Sequence, residues 1–234
     1  MSEIIPAILP KSFRELEEKL EIAAPYSHSI QIDICDGGFV PSRTWPYLKG
    51  VESDIIFDEI VSQEKAFPHW ETVDFEFDLM TRNAYEKIPD FISAGASSIV
   101  VHLASLDIAE LDNIIRDYGK HSEELGPFDV ELGIALMPSA SPDDIKDIVS
   151  KIHFVQVMGI ENIGFQGQTL SPKAIELVSS LRAAYPDLTI SVDGSVNLET
   201  APRLLDAGAD RLVIGSALFE SDDFLGTLKA FEAL

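Results

Sequence analysis

Eight apolar segments of four to nine residues alternate with segments of helical character along the whole chain. Regular alternation of this kind, with mostly short connections, is typical of parallel βαβ units. Eight such units suffice to close a barrel, so the sequence predicts an α/β fold of the TIM (β/α)8 type, as a single domain over residues 1–234. The predicted strands are residues 4–9, 28–34, 72–80, 98–103, 130–137, 152–158, 189–192 and 211–214.

Two connections between the predicted strands carry particular signals. After the fifth strand, Ser141 is followed by Pro142 and Asp144, which is the spacing of a capping box with proline at the first helical position. This pattern predicts a helix between the fifth and sixth strands. Residues 42–71 are less regular, and we expect an extended loop over one face of the barrel with a helix inside it.

The composition is that of a packed globular protein, with 46% hydrophobic residues. No apolar run approaches the roughly 20 residues that span a bilayer, so we expect no membrane segment. The first residues lack the basic and apolar regions of a secretory signal. The single cysteine, Cys35, permits no internal disulfide, which suits a reducing compartment, and we expect a cytoplasmic protein.

The net charge of −23, from 17 basic and 40 acidic residues, restricts the partners of the chain. Nucleic acids and anionic lipids bind to basic patches that replace their counterions, so neither is an expected partner. An anionic metabolite is repelled in the same way. Any phosphate site must therefore depend on local amide donors rather than on the overall charge.

Two apolar strands end in carboxylates and glycines. The first runs into Asp33, Asp36 and Gly37, and the second ends in Asp193 and Gly194. Asp36 before a glycine is a common way to shape a turn. Asp33 and Asp193 are different, because an acidic side chain at the end of a buried strand is costly without a role. Both belong at the carboxyl ends of barrel strands, where functional side chains of this fold lie.

Short motifs at the strand ends follow one another in a distinctive order. They include Pro6-Ala-Ile-Leu9, Asp33-Ile-Cys-Asp36-Gly37, Phe39-Val-Pro41, Asp78-Leu-Met80, Gly164-Phe-Gln-Gly167-Gln168, Val192-Asp-Gly194 and Gly215-Ser-Ala217. In this order and spacing the chain resembles the ribulose-phosphate 3-epimerase family over essentially its whole length. The resemblance implies a (β/α)8 barrel that interconverts ribulose 5-phosphate and xylulose 5-phosphate in the pentose phosphate part of carbohydrate metabolism.

The resemblance also implies roles for individual residues. Epimerisation at carbon 3 needs two acid/base groups, one on each side of the enediolate, and the family positions match Asp33 and Asp193. The family's divalent metal is held by these two aspartates and two histidines. In this chain Gln31 and Asp78 stand at the two histidine positions.

The changed ligand set leaves two interpretations open. Asp33, Asp78 and Asp193 with the amide oxygen of Gln31 form an oxygen-only set, which favours hard ions such as Mg²⁺, Mn²⁺ or Ca²⁺ over the softer metals that imidazole suits. The identity of the ion stays open among Mg²⁺, Mn²⁺ and Zn²⁺. Three clustered carboxylates also predict a raised pKa for at least one of them when no cation is bound. The second interpretation is that the metal site has been lost or now holds a different ligand.

The resemblance places a phosphate-binding site in the turns after strands 6, 7 and 8. Glycines let backbone amides approach an anion closely, and barrel phosphate sites often lie in these loops. The residues at the matching positions are Gly164, Gly167, Gly194, Ser195, Gly215 and Ser216.

Three functions are consistent with these patterns. The first is a 3-epimerase of ribulose 5-phosphate or a related ketose phosphate. The second is a non-catalytic barrel that binds a sugar phosphate. The third, a related lyase or decarboxylase, needs a lysine among the strand-end carboxylates, and Lys11 is the only near candidate. By analogy with the family we expect a homo-oligomer.

Overall fold

The computed structural model describes residues 2–49, 53–120, 130–163 and 168–234. Eight parallel strands form a closed barrel in the order of the sequence, with β8 paired to β1, as predicted. The strands are β1 (Glu3–Ile8), β2 (Ser29–Cys35), β3 (Asp74–Met80), β4 (Ala96–His102), β5 (Glu131–Leu136), β6 (Phe154–Met158), β7 (Thr189–Asp193) and β8 (Arg211–Ile214).

Helices surround this barrel. They are α1 (Phe13–Ala23), α2 (Ile55–Val61), α3 (Ala84–Ser93), α4 (Ile108–Tyr118), α5 (Pro172–Ala184), α6 (Ala201–Ala207), α7 (Ser216–Phe219) and α8 (Phe224–Glu232). The longest of them, α5, has 13 residues. Within the described ranges, therefore, none of the helices has the length and apolar character needed to cross a bilayer.

The connection between β5 and β6 differs from its prediction. The capping box of Ser141 and Asp144 is present, but it opens a 3-10 helix over Pro142–Ile145, and a second 3-10 helix follows at Val149–Lys151. Ile145 and Ile148 are both buried and lie three residues apart. Both side chains therefore reach the large core from this short segment.

The described parts of the 42–71 segment, residues 42–49 and 53–71, contribute to the core as well as covering it. The only helix among the described residues of this segment is α2. Trp45, Phe57 and Phe67 are almost completely buried, and the ring of Trp45 lies 5.5 Å from that of Phe57. The ring of Phe67 lies 4.6 Å from that of Phe75 on β3. This aromatic layer fixes the segment against the outside of the barrel.

Alternation along the strands separates an apolar outer layer from a mixed interior. On β2, Ile30, Ile32 and Ile34 pack in the large core shared with the helices, whereas Gln31 and Asp33 lie on the opposite face of the strand. The barrel interior consequently holds buried polar side chains. They are Gln31, Asp33, Glu76, Asp78, Ser98, His102, Gln156 and Ser191.

Candidate active site

Three aspartates meet at the carboxyl end of the barrel. Asp33 on β2 and Asp78 on β3 are paired in register, and Asp193 is the last residue of β7. Each offers a carboxylate oxygen that lies within 4.8 Å of those of the other two. Asp78 is completely buried, and Asp33 is 9% exposed. The structure thus brings together the two candidate acid/base residues and the third carboxylate that the sequence analysis placed with them.

Gln31 lies beside two of these carboxylates. Its Nε2 donates a hydrogen bond of 2.8 Å to Oδ1 of Asp33 and one of 3.4 Å to Oδ2 of Asp193. Its Oε1 is buried without a hydrogen-bond partner among the described residues. The amide is therefore oriented by the two carboxylates, which it links across the barrel.

Asp78 has two donors of its own. Nε2 of His102 lies 2.8 Å from its Oδ1, and Nε2 of Gln156 donates to its Oδ2 at 3.0 Å. His102 is buried at the end of β4, so this contact links β4 to the aspartate cluster. Gln156 was missed by the sequence analysis. The one signal was an amide inside the otherwise apolar strand Phe154–Met158.

The crowding of these carboxylates changes their titration. Burial raises the pKa of Asp33 well above its usual value, the charges of Asp193 and Asp78 raise it further, and the hydrogen bond from Gln31 opposes the shift. Burial and the charge of Asp78 raise the pKa of Asp193 to about 7, again against the hydrogen bond from Gln31. The predicted rise of a carboxylate pKa in the cluster is confirmed.

A cavity of about 450 Å³ connects the carboxylates with the candidate phosphate turns. Asp33 and Asp193 line one part of it, next to the thioethers of Met80 and Met158. The residues of the turns after β7 and β8 that line the cavity are Gly194, Ser195, Gly215 and Ser216. Gly164 and Gly167, the other two predicted phosphate-binding residues, lie outside the described residues.

The turn after β7 has an unusual backbone. Gly194 has φ of +103° and Ser195 has φ of +58°, so two successive residues after Asp193 have left-handed backbone conformations. Ser195 Oγ donates to the carbonyl oxygen of Gln168 at 2.9 Å, and Oγ1 of Thr200 donates to the carbonyl oxygen of Ser195 at 2.8 Å. A left-handed conformation at a serine is costly, and these bonds help to hold it.

The sequence profile of the ribulose-phosphate 3 epimerase family matches residues 3–219. The chain belongs to the ribulose-phosphate 3-epimerase family. Relatives named ribulose-phosphate 3-epimerase occur in Chlamydia pneumoniae, at 35% identity over 88% of this chain and 81% of that protein, and in Treponema pallidum, at 29% identity over 97% and 93%. A third, from Bacillus subtilis, is 28% identical over 95% and 94%.

Solved structures of other enzymes share the fold of this epimerase-family chain. A 3-hexulose-6-phosphate synthase from Salmonella typhimurium superposes with a TM-score of 0.67 at 14% identity, covering 100% of this chain and 97% of that one. KGPDC from Streptococcus mutans gives a TM-score of 0.68 at 12% identity, covering 100% and 96%. At such identities the likeness shows the barrel alone.

The donor set of this ribulose-phosphate 3-epimerase family member fits a divalent metal, which the family uses. Asp33, Asp78 and Asp193 supply carboxylate oxygens close enough to share one ion, and such oxygens are the preferred ligands of hard divalent cations. A cation there would also offset the like charges that raise the pKa values of Asp33 and Asp193. The three aspartates could therefore hold the ion.

Proposed function

We propose that the protein interconverts D-ribulose 5-phosphate and D-xylulose 5-phosphate, or a closely related pair of ketose phosphates, by proton transfer at carbon 3. The observation that carries the proposal is the placement of Asp33 and Asp193 in the same cavity as the turns after β7 and β8. One cavity thus offers two acid/base groups and backbone amides suited to a phosphate. The family and the names of the relatives support the same reaction class.

The two aspartates divide the proton transfer between them. One must be ionised to remove the proton from carbon 3, and the other must be protonated to deliver a proton to the opposite face. In the metal-free chain, burial and mutual repulsion raise the pKa values of both carboxylates, which favours a singly protonated pair. Reversal of the reaction exchanges the roles, as interconversion of two epimers requires.

The proposed holders of a divalent ion are Asp33, Asp78 and Asp193, with Gln31 as a fourth oxygen ligand. Such an ion would supply positive charge that polarises the ketone and stabilises the enediolate. Oxygen ligands favour Mg²⁺ or Mn²⁺ over Zn²⁺. Because Nε2 of Gln31 now faces the carboxylates, its amide must turn over before Oε1 can serve as a ligand.

The phosphate of the substrate is proposed to bind to the backbone of Gly194, Ser195, Gly215 and Ser216, with Gly164 and Gly167 contributing from the turn after β6. The net charge of −23 gives no general attraction for an anion. Close approach to backbone N–H groups then has to supply the affinity. A homo-oligomeric assembly and a cytoplasmic place in the pentose phosphate pathway are proposals by analogy with the family.

The experiment is a conversion assay with D-ribulose 5-phosphate, followed by NMR, first in chelator and then with Mg²⁺, Mn²⁺ or Zn²⁺ added. We expect xylulose 5-phosphate in the wild type and none in Asp33→Asn or Asp193→Asn. Mg²⁺ or Mn²⁺ should support more activity than Zn²⁺. Conversion that survives both substitutions would refute the two-aspartate mechanism.

A second candidate function is a barrel that binds a sugar phosphate without converting it. The observation in its favour is the amide of Gln31, which presents N–H rather than oxygen to the carboxylates of Asp33 and Asp193. An N–H group in this position competes with a cation for the same oxygens. Binding of D-ribulose 5-phosphate with no conversion under any metal condition would favour this function.

A further inference from the structure

Gln156 is one of several polar residues of the barrel interior that the reaction chemistry leaves without a role. It lies in the middle of β6 and is completely buried. Its Nε2 donates to Oδ2 of Asp78 at 3.0 Å and lies 3.9 Å from Sδ of Met158. A buried amide is costly unless its groups are bonded, so the bond to Asp78 is the main compensation for its burial.

The orientation of this amide is informative. Oε1 of Gln156 has no hydrogen-bond partner among the described residues. Exchanging the two ends of the amide would place that oxygen against the Asp78 carboxylate and remove the hydrogen bond to Asp78. Gln31 has the same arrangement, with Nε2 toward carboxylates and Oε1 unpaired within the described part of the chain. The carboxylates thus fix the orientation of both amides. In each amide the buried carbonyl oxygen is left without a hydrogen-bond partner among the described residues.

His102 completes the support of Asp78 from the other side. Its Nε2 lies 2.8 Å from Oδ1, and the histidine is only 1% exposed. The ring of Phe39 packs at 5.5 Å from the imidazole. Each carboxylate oxygen of Asp78 therefore has one donor, on β4 or on β6. Each oxygen keeps further lone-pair capacity that a cation could use.

We propose that Gln156, together with His102, is a positioning residue that holds the Asp78 carboxylate in the orientation needed to bind the divalent ion. The inference rests on the proposed metal site. Asp78 is completely buried, so bulk water does not solvate its carboxylate. Donors from the protein must fix the rotation of the carboxylate, which is the established role of groups that hydrogen-bond to metal ligands.

The test compares Mn²⁺ affinity, measured by calorimetry on the full chain, in the wild type, Gln156→Met and Ser191→Ala. Methionine keeps the length and volume of the side chain but cannot donate. Ser191 is the matched control: it is paired in register with Gln156, it is equally buried, and its Oγ has no partner among the described residues. Thermal unfolding in chelator is recorded for all three proteins.

Loss of a group that orients a metal ligand typically lowers metal affinity about 10- to 100-fold, and we expect a loss in that range for Gln156→Met. Ser191→Ala should bind Mn²⁺ as the wild type does. His102→Gln, which retains an N–H donor, should lose less affinity than His102→Leu.

Equal Mn²⁺ affinity in the wild type and Gln156→Met would overturn the positioning role while leaving the proposed metal site intact. An equal loss in Ser191→Ala would overturn it as well, because general packing of the interior would then explain the effect. A wild type that binds no Mn²⁺ would refute the proposed metal site, and the positioning role with it.

Discussion

Gln31 and Asp193, separated by 162 residues in the chain, are joined by a hydrogen bond of 3.4 Å from the amide Nε2 to the carboxylate Oδ2. The same nitrogen donates to Asp33 at 2.8 Å. A single side chain therefore connects the two proposed acid/base groups. The resemblance to the family implies a metal-binding histidine at this position, and in this chain the side chain there is a hydrogen-bond donor to both carboxylates.

Removing this donor should raise the pKa values of both carboxylates. The hydrogen bond from Gln31 lowers the pKa of Asp33 and that of Asp193 against the effects of burial and neighbouring charge. In Gln31→Met, which keeps the volume of the side chain, both carboxylates should titrate at higher pH. Carbon-13 NMR of labelled aspartate side chains measures this directly, and unchanged titration would show that the amide does not stabilise the ionised forms.

Asp78→Asn should shift the same two groups in the opposite direction. The charge of Asp78 raises the pKa of both Asp33 and Asp193, and an amide at this position removes that charge. We expect both to titrate at lower pH and the affinity for Mg²⁺ to fall. Glu64→Gln, at an exposed acidic residue, removes one charge elsewhere and should change neither property.

The stability of the metal-free protein should fall as the pH rises from about 5 to about 8. The pKa of Asp193 is about 7 in the folded chain, and that of Asp33 is also raised, against about 4 in an unfolded chain. Between these values the folded chain binds more protons than the unfolded chain. The two groups thus contribute their full stabilisation below about pH 4, and this contribution is lost as the pH rises through about 7.

Thermal unfolding in chelator at several pH values measures this dependence of stability on pH. Other acidic residues also respond to pH, so the contribution of the pair is taken as the difference between the wild type and Asp33→Asn/Asp193→Asn. The double variant should show a flatter slope over the same interval. Identical slopes would contradict the raised pKa values, and added Mg²⁺ should stabilise the wild type more at about pH 8 than at about pH 5.

Alanine variants of two glycines with similar φ angles distinguish the effect of backbone strain from the effect on ligand binding. Gly194 has φ of +103° and Gly95 has φ of +100°. An added Cβ would meet Ile160 Cγ1 at 3.0 Å at Gly194 and nothing within 4 Å at Gly95. Both alanine variants should lose about 1–3 kcal/mol of unfolding free energy from the strained backbone.

Only Gly194→Ala should also weaken binding of D-ribulose 5-phosphate, because Gly194 lines the cavity beside Ser195. Denaturant unfolding and calorimetric titration with the sugar phosphate give the two quantities. Equal binding by both variants would show that the turn after β7 does not contact the substrate.

Most of the barrel could be predicted from the sequence because its signals are local. Apolar strands bounded by turn residues located all eight strands, and Asp33 and Asp193 drew attention as acids at the ends of such strands. The 3-10 helices after β5 were not predicted, since a capping box fixes how a helix starts but not how it continues. Asp36 does shape its turn, accepting a 2.7 Å bond from the Gly38 amide.

The contacts within the site could not be predicted in the same way. The pairing of Gln156 with Asp78 joins β6 and β3, and the orientation of the Gln31 amide depends on the carboxylates of Asp33 and Asp193, on two different strands. Periodicity shows that such residues lie inside the barrel, but only the strand register determines which of them meet. The aromatic layer around Trp45 depends on the path of residues 42–71, which no local pattern specified.

The most direct test of the central claim is the incorporation of solvent deuterium at carbon 3 of D-ribulose 5-phosphate by the wild-type protein in deuterated water, with Mg²⁺ or Mn²⁺ present. We predict deuterium at carbon 3 together with formation of xylulose 5-phosphate, and loss of that product in Asp33→Asn and Asp193→Asn. Bound substrate that gains no deuterium under any metal condition would contradict an epimerase and leave a barrel that only binds a sugar phosphate.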